Sequence, residues 1–199
     1  MSSILSIKRE SLAAGVLFFA LILGYCIVAG LSLFIALLLV MYALHLVFFR
    51  KVAGRRLLQI SFLVTLMAAT AVGVNTYSDL SPYYLPVAAV PMITMLLFSE
   101  IPLAFSMALI TSALVTLLVG EGVDFLLIFF LSGWASAYVV RGARMRGEVL
   151  LAGLLASALQ GGGYILFHQE LGAFVWTGAL KPLLISGILS GGVVLVTLR

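Results

Sequence analysis

The sequence predicts an all-α fold, a polytopic helical membrane bundle of about eight transmembrane helices with both termini cytoplasmic. Three observations carry that prediction. The 199 residues are 64% hydrophobic and 9% charged, with a mean hydropathy of +1.28, whereas a water-soluble domain needs about 25% charged residues to cover its surface. The apolar residues run on without the period-two alternation of a membrane β-barrel. The basic residues collect in short segments at alternate ends of those runs.

Lys8, Arg9 and Glu10 precede an apolar run from Ser11 to Phe49. As a single helix it would be about 58 Å long, roughly twice the hydrocarbon thickness. It therefore folds back near Gly24 to Ser32, where "GYCIVAGLS" supplies glycines. Residues 1–49 read as an N-terminal helical hairpin, spans 1 and 2. Residues 50–199 hold six further spans, at about 57–75, 82–98, 102–119, 124–140, 149–167 and 182–198. With no charged linker and no convincing repeat, 1–199 reads as one integral-membrane domain. The start also looks like a secretory signal with "VAG" at 28–30 as its cleavage site, but an uncleaved helix is preferred because no exported domain follows.

The charges agree with this count. Lys8, Arg9, Arg50, Lys51, Arg55, Arg56, Arg141, Arg144, Arg146 and Arg199 fall inside and only Lys181 outside, ten against one. Such asymmetry is the positive-inside signature. It also accounts for the net charge of +4 without a nucleic-acid partner. The partner it implies is the lipid bilayer, with Arg141, Arg144 and Arg146 as a secondary contact for anionic headgroups or a cytoplasmic domain. Merging the first hairpin into one span would place "RKVAGRR" opposite "IKRE" and destroy the pattern.

Catalytic, metal and cofactor chemistry find no support. Cys26 is the single cysteine, which excludes a disulfide framework or a cysteine metal site. His45 and His168 lie at opposite faces as interfacial residues, His168 beside Glu170, and there is no "HD" or "HExxH" pair. No nucleophile–base pair or carboxylate pair is visible. No ionisable group sits at the middle of a span, which argues against ion-driven transport. Gln160, followed by three glycines, is the most polar deep position and reads first as an interhelical clamp. Ser186, Ser190, Gly187 and Gly191 in span 8 form a small-residue pattern, which serves either packing within the bundle or a homo-oligomer face.

Prolines single out span 4. Pro82 follows Ser81 at the helix start, as Pro102 and Pro182 do in spans 5 and 8, where proline sacrifices no hydrogen bond. Pro86 and Pro91 fall inside the span. There each frees the carbonyl four residues upstream, those of Pro82 and Val87, which must find a partner in protein. Span 4 is thus predicted to be a kinked helix enclosed by others. The candidate binding residues are Asn75, Tyr83, Tyr84, Pro86, Pro91 and Gln160. For the tyrosines and Asn75 the competing explanation is interfacial anchoring.

Three stretches also carry a resemblance. "YYLPVAAVPMITMLLFSEIPLAFSMALITSALVTLL" joins a proline-bearing helix by a short inner turn to an "LA" helix start. "DFLLIFFLSGWASAYVVRGARMRGEVLLAGLLASAL" ends a span in a basic inner loop before "AGL". "LISGILSGG" is a small-residue final span. Over about 57–199 the chain resembles the membrane region of the 7TM-receptor HD-hydrolase (7TMR-HD) family. The resemblance implies one anchor helix plus seven, an extracellular domain after the first helix, and a cytoplasmic HD phosphohydrolase acting on cyclic di-AMP. Here a tight hairpin stands where the extracellular domain would be, and the chain stops at Arg199 where the hydrolase would begin. The expectation is a sensor or anchor module without its enzyme, or a truncated product, in a bacterial cytoplasmic (inner) membrane. It would control an HD hydrolase in cis or in trans. The alternatives are a small-molecule-binding membrane subunit of a transporter, or a membrane scaffold.

Overall fold

The computed structural model describes residues 42, 54–77, 80–143, 145–168 and 179–197. Their regular elements are all helical. Helix α1 spans Gly54–Tyr77, a 3-10 turn Pro82–Tyr84, α2 Ala89–Phe98, α3 Ile101–Val119, α4 Val123–Val140, α5 Arg146–His168 and α6 Lys181–Thr197. These fall on predicted spans 3 to 8. Apart from Tyr42, spans 1 and 2, with His45, Cys26, Arg50 and Lys51, lie outside the described residues, as do Arg144, Glu170 and Arg199. Four of the described helices are long and apolar enough to cross a bilayer: Leu58–Tyr77 of α1, and α3, α4 and α5. Pro82–Phe98 and Lys181–Thr197 are apolar but shorter.

The helix ends follow local chemistry. Pro102 sits in the first turn of α3, where its missing N–H costs nothing. Helix α2 closes at Ser99, a left-handed residue (φ 55°) whose N–H reaches Met95 O at 2.8 Å. Gly120 (φ 80°) ends α3 by donating to Thr116 O at 2.9 Å, a conformation glycine adopts without a Cβ penalty. Asp124 lies in the first turn of α4, at the positive end of the helix dipole.

By compactness the chain divides into residues 1–66 and 67–199. Within the second unit α5 packs on α6, α4 on α5, and α2 on α3 and α4. Glycines make the α5–α6 contact close. A Cβ on Gly153 would stand 2.9 Å from Gly187 O and 3.0 Å from Gly191 Cα. The small-residue pattern of span 8 therefore faces α5 of the same chain.

The proline segment is where structure and sequence part. Span 4 is broken instead of kinked. After the 3-10 turn, Leu85 is extended (φ −63°, ψ 125°), and α2 begins only at Ala89. Pro86 lies in the break and Pro91 in the first turn of α2. The Pro82 and Val87 carbonyls are satisfied locally, by Leu85 N at 3.1 Å and Val90 N at 3.3 Å. A ten-residue α2 is about 15 Å long. That is about half a bilayer core.

Candidate functional site

The break at Leu85–Ala88 is largely buried, and so is α2 through Met95. Backbone that leaves a helix inside a bilayer must find partners in protein, and here several neighbours supply them. Pro86 forces a tight turn in which Val87 N donates to Leu85 O at 2.8 Å. The second lone pair of Leu85 O accepts the Ser186 hydroxyl of α6 at 2.6 Å. Gly133 of α4 lets the segment approach: a Cβ there would sit 3.1 Å from Pro91 Cγ and 3.7 Å from Ala88 Cα. Removing the Ser186 hydroxyl leaves Leu85 O with one donor. Ser186→Ala is therefore expected to cost about 1 kcal/mol, measured by unfolding in detergent.

Beside Gly133, Ser132 begins a buried polar link to α5. Gln160 Nε2 donates to Ser132 Oγ at 3.2 Å, and both residues are 0% exposed. Gln160 Oε1 is buried without a hydrogen-bond partner among the described residues. Nearby on α5, Ser157 donates to Leu184 O of α6 at 2.7 Å. Three hydrogen bonds thus link neighbouring elements: Gln160–Ser132 joins α5 to α4, Ser157–Leu184 joins α5 to α6, and Ser186–Leu85 joins α6 to the break. As predicted, Gln160 forms an interhelical link, but its carbonyl end takes no part in it.

Of the other predicted residues, Pro91 packs near Gly133, the neighbour of Ser132. Asn75, in the last turn of α1, donates to Leu118 O at 3.2 Å. Tyr84 is half-buried in the 3-10 turn. Tyr83 joins an aromatic group, with ring centroids 5.2 Å from Phe125 and 5.7 Å from Tyr164. Tyr164 in turn stacks on His168 at 4.1 Å. His168 Nε2 meets Asp124 Oδ2 at 3.3 Å, an α5–α4 pair that sequence spacing does not reveal. In the turn before α4, burial and then the Asp124 charge raise the Glu121 carboxyl above its ordinary range, while His168 acts the other way. Among the described residues no group of three His, Cys, Asp or Glu side chains is placed to hold a metal. Arg56, Arg141 and Arg146 are exposed.

Ser132, Gly133 and Ser186 are the residues that the candidate set omitted. Ser186 is visible in the sequence as part of a small-residue pattern, whereas nothing in "LSGWAS" distinguishes Ser132 from an ordinary packing serine.

Comparison with known families gives a match over most of the chain: the family described as "7TM receptor with intracellular HD hydrolase" aligns with residues 16–198. No curated protein and no solved structure matches the chain.

Proposed function

The chain belongs to the family of 7TM receptors with an intracellular HD hydrolase, and from that membership we propose that it is a membrane sensor and anchor module for a cytoplasmic HD phosphohydrolase acting on cyclic di-AMP. The observation that carries this reading is the extent of the match, residues 16–198, to the receptor portion of the family. The charge asymmetry supports the geometry that control requires. Eight spans, one plus seven, place both termini at the cytoplasmic face of a bacterial inner membrane, so that Arg199 emerges beside the enzyme. Arg141 and Arg146, exposed in the turn between α4 and α5, lie on that same face and offer the hydrolase or anionic headgroups a basic contact. The hydrolase is supplied in cis or in trans. The module itself performs no chemistry.

Two measurements test the reading. A fluorescent reporter fused after Arg199 should be bright in the cytoplasm, and alkaline phosphatase inserted at Glu121 should be active outside. In cells carrying an HD hydrolase domain fused after Arg199 or co-expressed, cyclic di-AMP turnover should differ at least several-fold with and without the chain. Equal turnover in both would sink the proposal and leave the transport-subunit and scaffold alternatives, neither of which touches the hydrolase.

A further inference from the structure

The buried interior between α4, α5 and α6 is rich in hydrogen-bond acceptors, and its hydroxyl donors are already spent. Ser132 donates to Phe129 O at 3.1 Å, Ser157 to Leu184 O at 2.7 Å and Ser186 to Leu85 O at 2.6 Å. The remaining buried serines and threonines among the described residues donate to carbonyls of their own helices. Each hydroxyl proton is thus committed to the main chain, while hydroxyl oxygens keep lone pairs to accept with. With the Ser132 hydroxyl directed at Phe129 O, the Gln160 amide turns Nε2 to Ser132 Oγ, and Oε1 is the end left over.

A buried carbonyl oxygen that has lost water and gained no donor is strongly disfavoured. In a membrane interior no bulk solvent relieves it. We infer that Gln160 Oε1 anchors an internal binding site for a small neutral O–H or N–H donor, seated beside Ser132 in the polar interior that holds the broken span. A donor is required because the orphaned group is an acceptor and the neighbouring hydroxyl protons are spent. Neutrality follows because no charged side chain is buried among the described residues, leaving a bound cation without a counter-ion. An ordered water and a small polar solute share this chemistry. The site depends on hydrogen bonding alone, whether or not the chain governs a hydrolase.

The test uses the full chain in detergent, with Gln160→Leu against the unmodified protein. The variant removes Oε1 together with the Gln160–Ser132 bond. With the site occupied both hydrogen bonds are lost, and it melts about 4 °C or more below the unmodified protein. With an empty site the lost bond is offset by removing an unsatisfied oxygen, it melts level with or above the unmodified protein, and the inference fails. The unmodified protein provides a second measurement that does not depend on the variant folding. A stoichiometric small solute in its extract by mass spectrometry identifies a solute, and experimental density for a lone oxygen within hydrogen-bond distance of Oε1 identifies water. Density showing another side chain of the protein on Oε1, or nothing there, overturns the inference.

Discussion

Gly187→Ala is expected to destabilise the protein by about 3 kcal/mol, at the upper end of what a single added methyl costs in a packed interior. The reason lies in what the methyl would meet. A Cβ on Gly187 overlaps the Ser157 backbone nitrogen and hydroxyl and stands 2.6 Å from Ser157 Cα. Main-chain atoms of a helix cannot rotate aside, so α5 and α6 must separate as bodies. That separation would also stretch the Ser157–Leu184 hydrogen bond at 2.7 Å, which crosses the same interface. Gly192 and Gly162 are the controls, since a Cβ on either meets nothing within 4 Å among the described residues. Alanine at those two positions should be neutral or stabilising by about 0.5–1 kcal/mol through helix propensity alone. Thermal unfolding in one detergent compares the three variants. Equal behaviour at Gly187 and Gly192 would mean that α5 and α6 do not cross where the structure places them.

The same helices show how much the sequence discloses. Spans 5 to 8 are legible to within a few residues because a bilayer imposes apolar runs of about 20 residues and short polar turns mark their ends. The "SGILSGG" pattern discloses a close approach, but its occupant, α5, is fixed by three-dimensional packing that no spacing rule encodes. Span 4 is the least legible. A proline inside an apolar run is compatible with either a kink or a full break, and the choice depends on whether the exposed carbonyls can be satisfied. Here the partner of Leu85 O is Ser186, 101 residues away. The Asp124–His168 pair has the same character: each residue is visible in the sequence, but their meeting is not. Gln160 reads as a clamp from its depth and polarity, whereas its unused oxygen requires the orientation of Ser132.

Gly133→Leu is expected to be among the most damaging single changes, costing about 3 kcal/mol or more, because the broken span is built against the absence of a side chain. Alanine there would place its Cβ 3.1 Å from Pro91 Cγ and 3.8 Å from Ala108 Cβ, a strain that small shifts relieve at about 1 kcal/mol. Leucine adds three more carbons, and the ring they meet is tied into the backbone of α2. The break must then move away from α4, taking Leu85 from Ser186. A double-mutant cycle reads that displacement directly. Ser186→Ala should cost about 1 kcal/mol in the unmodified protein and near zero in the Gly133→Leu background, because the hydrogen bond is already lost. A full Ser186 effect in both backgrounds would show that the break stays in place and that Gly133 acts only through local crowding.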